Sequence, residues 1–273
     1  MDTTQQRAAI PAFHLLRDAR VVARTAGLIG VTWSAVACLD AELLTSDEAS
    51  RQTVTYKWVG RWGKALLQVF GLEVTARGLP TADGRYPAVD AQGRGRVFVM
   101  NHRSMLDIFV NLAFVEANMV SRADLSRWPV IGRAARKVGT LFVDRANKQS
   151  GAAVIHAMCD AIERGQGVLV YPEGTTFIGD EVRPFRAGAF ITAQRTGAEI
   201  VPIGIAYGGQ GTSYFQEPFP IHYRRVTSSP ATKIGLVFGE PIAAGADVET
   251  LRSVAHERVQ ELVREARAAL CEG

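Results

Sequence analysis

One histidine lies where a base for hydroxyl chemistry would have to lie. The run Val97-Phe98-Val99-Met100 reads as a strand and feeds directly into Asn101-His102-Arg103-Ser104-Met105-Leu106-Asp107. His102 therefore sits just past the carboxyl end of a strand, where ligands of α/β sheets bind. Asp107 falls in the first turn of the helix that follows. From there a carboxylate can fold back, bond one ring nitrogen, fix the tautomer and strengthen the other nitrogen as a base. Ser104-x-x-Asp107 is also a capping-box pattern, so satisfying helix N-terminal amides accounts for Asp107 equally well. The chain has no G-x-S-x-G elbow, and a His–Asp pair without a nucleophile suits a general base that activates a hydroxyl for direct attack. His14, His156, His222 and His256 stand in no polar constellation visible in the sequence.

Two further blocks follow strands in the same manner. Gly139-Thr-Leu-Phe-Val-Asp-Arg145 ends an apolar run on a charged pair, and Arg145 can bind phosphate or carboxylate. Val168-Leu-Val-Tyr-Pro-Glu-Gly-Thr175 places Glu173, Gly174 and Thr175 at a strand end. Glu173 can accept hydroxyl protons in hydrogen bonds, and Gly174 lets a ligand approach the backbone. Each block taken singly is of a kind that ordinary loops carry.

The elements needed to position these residues are legible as an alternation. Strands are expected at Leu72–Arg77, Arg96–Met100, Met119–Arg122, Gly139–Val143, Val168–Tyr171, Ile200–Ala206 and Lys233–Phe238. Helices are expected at Met105–Ala117, Val130–Lys137, Gln149–Arg164, Ala187–Thr196 and Val248–Leu270. That order implies an α/β fold with a largely parallel central sheet flanked by helices. The chain of 273 residues, 47% hydrophobic and 21% charged, excludes a disordered or collagen-like protein. The net charge of +4 is too small for a dedicated nucleic-acid binder, so no nucleic-acid partner is expected. It hides a local excess, since Arg122–Lys148 holds seven basic residues against two acidic ones. Cys38, Cys159 and Cys271 are scattered, and no Cys/His cluster has metal spacing, so neither a metal site nor a disulfide framework is expected.

Residues 1–71 read as a helical, membrane-associating segment ahead of an α/β domain at 72–273. The first residues lack the basic and apolar parts of a signal peptide. Thr25–Leu39 is uncharged, but fifteen helical residues reach only about 22 Å, short of the roughly 30 Å hydrocarbon core, which favours a packed or re-entrant helix over a spanning one. On a wheel of Tyr56–Phe70, Trp58, Val59, Trp62, Leu66, Val69 and Phe70 share an arc of about 120°, with Lys57, Arg61, Lys64 and Gln68 opposite. An interfacial helix and a helix docked on the core both satisfy this pattern. Two such helices in succession favour membrane contact.

Together and in order, the blocks resemble those of the lysophosphatidic acid acyltransferase family of glycerolipid acyltransferases. His102 to Asp107 matches its H-x-x-x-x-D motif, Gly139–Arg145 its second block, Tyr171–Thr175 its P-E-G-T block and Ile200-Val-Pro-Ile203 its fourth. The resemblance spans about residues 70 to 245. It implies acyl transfer from a thioester, acyl-CoA or acyl-carrier protein, to a lysolipid hydroxyl. His102 would be the general base, Asp107 its orienting partner, and Arg145 with Glu173, Gly174 and Thr175 would position the acceptor. Acyl-CoA or the carrier protein would be a co-substrate, and no further cofactor is implied. Arg122 stands where the family often has a lysine, a candidate cation for an oxyanion or phosphate. Phosphatidic-acid-forming members usually continue the third block with arginine, whereas Thr176 stands here; Arg183 and Arg186 are nearby replacements. Glu-Gly-Thr-Thr also looks like the variant found in acyltransferases of other lysolipids, including lyso-ornithine lipids. A thioesterase or lipase-like hydrolase, with the same pair activating water, is the alternative from another reaction class. The expected location is the cytoplasmic face of the cell membrane, peripheral or monotopic, with the bilayer as a partner.

Overall fold

Short β-branched and aliphatic runs form strands, and longer amphipathic stretches between them form helices that cover both faces. The computed structural model describes residues 12–143, 148–209, 211–214 and 216–271. Two N-terminal helices, α1 (Ala12–Leu43) and α2 (Arg51–Phe70), precede β1 (Leu72–Arg77), β2 (Val97–Met100), α3 (Leu106–Phe114) and β3 (Asn118–Arg122). A 3-10 turn at Ala123–Arg127 leads to α4 (Ile131–Lys137), β4 (Leu141–Val143), α5 (Lys148–Glu163) and β5 (Val168–Val170). The chain ends with α6 (Gly188–Thr196), β6 (Ile200–Tyr207), α7 (Phe219–Ser228), β7 (Thr232–Phe238) and α8 (Val248–Ala269).

The seven strands form one sheet in the order β1-β7-β6-β2-β5-β3-β4. All neighbours are parallel except β6 and β7. This is the largely parallel α/β sheet expected from the sequence. Side-chain alternation divides β2 between two cores. Phe98 and Met100 join Trp62, Phe70, Phe109 and Ile203 on one face, while Val97 and Val99 join Ile162, Phe190 and Val259 on the other. Because β2 is buried on both faces, every residue is apolar until Asn101, the first that must find polar partners. Its amide supplies them by clamping β6: Nδ2 donates to the Ile205 carbonyl at 3.0 Å, and Ile205 N–H donates to Oδ1 at 2.9 Å.

The N-terminal helices differ from expectation in two ways. α1 has 32 residues rather than fifteen, and its Leu15–Leu43 portion, with mean hydropathy 1.5, has the length and composition to cross a membrane. One side of it nonetheless packs on the domain. Leu39 is buried, Trp62 Nε1–H donates to Thr32 Oγ1 at 3.1 Å, and the Arg24 guanidinium donates to the carbonyls of Val69, Thr227, Ser229 and Pro230. The exposed side of α1 between Ala19 and Ala41 carries no charge other than the half-exposed Asp40 and includes Val22, Ile29 and Trp33.

The α2 wheel resolves in favour of docking on the core. Val59, Trp62, Leu66 and Phe70 are buried, and Gly63 lets α2 meet α3 so closely that a Cβ there would lie 2.3 Å from the Ala113 nitrogen. Trp58 is partly buried, its Nε1–H donating to Glu42 at 2.8 Å. The face expected to meet lipid is therefore spent on packing, and α1 carries the exposed apolar surface instead. The sequence reading also missed α7, whose start is marked by Pro218 at the N-cap and Pro220 in its first turn.

Candidate active site

Three neighbouring strands, β6, β2 and β5, present their carboxyl ends side by side, and the residues that follow them converge. His102, after β2, directs Nδ1 at Asp107 Oδ2, 2.6 Å away. The same oxygen accepts the backbone N–H of Arg103 at 2.7 Å and of Ser104 at 3.0 Å. Asp107 therefore does both things its position allowed, serving the N–H groups ahead of α3 and orienting the histidine. Its side chain is fully buried, whereas that of His102 is 16% exposed. Nε2 of His102 has no partner among the described residues, which leaves it as the nitrogen able to take a proton. The Tyr171 ring lies flat on the imidazole, 3.9 Å between centroids and 17° between planes, and Asn111 Nδ2–H donates to the Tyr171 hydroxyl at 2.7 Å.

Glu173 lies beneath this pair rather than beside an open space. Its buried carboxylate accepts His102 N–H at 2.6 Å, Arg183 N–H at 2.8 Å, and Arg103 Nη1 at 2.9 and 3.0 Å. Arg103 is buried as well, and its guanidinium also donates to the carbonyls of Gly179, Glu181 and His102. Paired, hydrogen-bonded burial of this kind holds a loop in one geometry. Gly174 has φ +78°, a backbone conformation that favours glycine, and its Cα lies close against the Arg186 guanidinium. Thr175 is exposed and Thr176 buried.

The candidate cations separate clearly. Arg122 is held bidentately by Asp124 at 2.9 Å. Arg183 lies over the Phe177 ring and 3.5 Å from Glu181. Arg145 falls outside the described residues. Arg186 is exposed, has no carboxylate partner among the described residues, and borders a cleft of about 320 Å³. Val120, Val154, Met158, Val170 and Gly174 line that cleft, and so does Tyr171, whose ring covers His102.

Three contributors were not visible in the sequence. The Tyr207 hydroxyl, at the end of β6, donates to Asp107 Oδ1 at 2.5 Å. Burial and then the Asp107 charge push its pKa well above the usual value, so it remains a donor. Arg103 lay inside the first block but carried no sign of its partner Glu173. His222, on α7, accepts from Ser104 Oγ at 3.2 Å and from Met105 N–H at 3.4 Å, while its Nδ1 lies 3.4 Å from Glu217. This Ser–His–Glu chain resembles a nucleophile relay in composition only. Ser104 is fully buried, and burial, with Arg225 nearby, lowers His222 to about 4. A weak base beside an unreachable serine serves to brace the start of α3. Only chain folding brings His222 118 residues back to Ser104. Among the described residues no cluster of His, Cys, Asp and Glu could hold a metal ion.

Comparison with known proteins identifies the family. Residues 79–206 match the family model described as Acyltransferase. A lyso-ornithine lipid O-acyltransferase from Pseudomonas aeruginosa is 30% identical over 75% of this chain and 73% of its own length. A 1-acyl-sn-glycerol-3-phosphate acyltransferase from Neisseria gonorrhoeae is 31% identical over 41% of this chain and 44% of that protein. In fold, the chain is similar to the crystal structure of the 1-acyl-sn-glycerophosphate acyltransferase PlsC from Thermotoga maritima, with TM-score 0.70, 22% identity and coverage of 94% of this chain and 97% of the other. The chain belongs to the lysophosphatidic acid acyltransferase family and is an O-acyltransferase of the lysophospholipid type.

Proposed function

We propose that this enzyme transfers a fatty acyl group from an acyl thioester to a lysolipid hydroxyl, with His102 as general base. The observation that carries the reading is the 2.6 Å bond from His102 Nδ1 to a buried Asp107, which leaves Nε2 without a partner among the described residues; the Tyr171 ring stacked on the imidazole also lines an apolar cleft. Nε2 takes the proton of the hydroxyl as its oxygen attacks the thioester carbonyl. The carbon–sulfur bond then breaks, and the leaving thiolate regains the proton from the imidazolium. Ester and thiol are the products. Asp107 fixes the tautomer and stabilises the cation formed. The cleft lined by Val120, Val154, Met158 and Val170 has the polarity an acyl chain requires.

Arg186 is the cation best placed to meet an anionic part of a substrate at the cleft's edge. Glu173 reads as a residue that holds the loop, since its oxygens are occupied by Arg103, Arg183 and His102. Two observations favour a lyso-ornithine type of acceptor over a glycerol phosphate. The relatives named for that acceptor match along more of this chain, 59–75% against 41%, and buried Thr176 offers no cation to a phosphate. The exposed apolar side of α1, with Arg133 over the Trp33 ring and Lys137 paired with Asp40, fits in-plane docking on the cytoplasmic leaflet as a monotopic protein.

A panel of lysolipids with labelled acyl-CoA and acyl-carrier protein tests the acceptor and donor together. The expected result is an O-acylated lyso-ornithine lipid formed faster than phosphatidic acid. Preference for 1-acylglycerol-3-phosphate would reverse the acceptor assignment.

A further inference from the structure

We infer that Tyr207 is a positioning residue for acyl transfer, acting on the His102 base through Asp107. The inference rests on the general-base reading of His102. Asp107 has two oxygens with separate duties. Oδ2 faces the loop, accepting His102 Nδ1 and the N–H groups of Arg103 and Ser104. Oδ1 faces the sheet, where its partner is the Tyr207 hydroxyl at 2.5 Å. Without that donor the carboxylate could turn about its Cβ–Cγ bond, and the oxygen aimed at the imidazole would no longer be fixed. Tyr207 itself is held firmly. It is the last residue of β6, its side chain is buried, and its carbonyl accepts Arg267 Nη1 at 2.6 Å.

The bond also sets how much negative charge Asp107 directs at His102. A donor on Oδ1 draws electron density from Oδ2, so its removal leaves the imidazolium more strongly stabilised. The ionisable groups around Asp107 are His102 and Arg103 on its own loop, Tyr171 after β5, Tyr207 at the end of β6 and His222 on α7, with Glu173 behind His102 and Arg103. Of the other tyrosines, Tyr171 has its hydroxyl on Asn111, so it does not substitute for Tyr207.

Tyr207→Phe removes one oxygen and keeps the ring. With palmitoyl-CoA as donor and lyso-ornithine lipid or 1-acylglycerol-3-phosphate as acceptor, kcat should fall about tenfold while KM stays within about twofold. The acidic limb of the kcat/KM profile should move to higher pH by about half a unit. Rates are normalised to the folded fraction, so a loss of stability alone moves neither the profile nor the normalised kcat. Because Tyr207 acts through Asp107, Tyr207→Phe should change the residual rate of Asp107→Asn by less than about twofold. Tyr86→Phe, which removes another buried phenol hydroxyl, should leave the profile unmoved. A Tyr207→Phe enzyme with wild-type kcat and profile, or an undiminished effect in the Asp107→Asn background, overturns the assignment. Full activity in His102→Ala would instead remove the general-base reading beneath it.

Discussion

Replacing Glu173 by glutamine changes one oxygen to an amide nitrogen and tests whether this residue holds the catalytic loop. The glutamate side chain is fully buried, and that of its partner Arg103 is 3% exposed. Both of its oxygens receive donors: His102 N–H and Arg103 Nη1 on Oε2, Arg183 N–H and Arg103 Nη1 on Oε1. Glutamine can serve one of these sets, but its NH₂ group then faces donors on the other side. The variant also leaves the Arg103 guanidinium without a counter-charge in a dry place. Breaking a buried pair from one side costs about 3–5 kcal/mol. At roughly 2–4 °C per kcal/mol for a domain of this size, the melting temperature should drop by about 10 °C. The His102 backbone loses its tie to the loop, so kcat should fall more than KM rises. Thermal melts followed by circular dichroism, with activity measured well below the transition, read both quantities. A melting temperature within about 2 °C of wild type, with undiminished kcat, would refute this account of Glu173.

Three other outcomes follow from separate parts of the molecule. His222 is held neutral in the fold, with its pKa lowered to about 4 from 6.5. The unfolded chain therefore takes up a proton first, and stability should fall by up to about 3 kcal/mol as pH drops from 6.5 to 4; denaturant melts of wild type and His222→Gln across that window should show the slope only in the former. Arg24→Leu strips the donors from four carbonyls at the ends of α2 and α7 and should cost about 2–4 kcal/mol by urea unfolding, whereas an exposed arginine such as Arg127 should cost nothing measurable. Val22→Glu with Ile29→Glu should move the protein from anionic liposomes to the soluble fraction without changing its melting temperature, and unchanged sedimentation with liposomes would exclude α1 as the docking face.

Much of the fold could be read from local pattern, because β-branched runs between amphipathic stretches leave few other arrangements. All seven strands lie where the runs suggested, and the loop from His102 to Asp107 was marked by the strand before it and the capping pattern within it. The readings failed where the deciding partner is distant in sequence. A helical wheel records an apolar face and a polar one, not what the apolar face meets, so α2 remained ambiguous until Gly63 and Trp62 were seen packed against α3 and α1. The reach of α1 was underestimated because only the uncharged stretch Thr25–Leu39, between Arg24 and Asp40, was weighed against the bilayer; the helix continues past both, and Arg24 is buried on backbone carbonyls. The active site divided in the same way. The pairing of His102 with Asp107 spans five residues and is local, whereas Glu173 with Arg103 spans 70 and Tyr207 with Asp107 spans 100. Charge alone could not separate Arg122 and Arg183 from Arg186, since the distinction lies in which of them already holds a partner.

The central claim is transfer to a lysolipid hydroxyl driven by His102, and acceptor-dependent thiol release tests it most directly. Purified enzyme with acyl-CoA should release thiol only when lysolipid is present, one thiol for each new ester, and His102→Ala should lower that rate by about 100-fold or more. Equal thiol release without lysolipid, accompanied by free fatty acid, would contradict the account and make the enzyme a hydrolase.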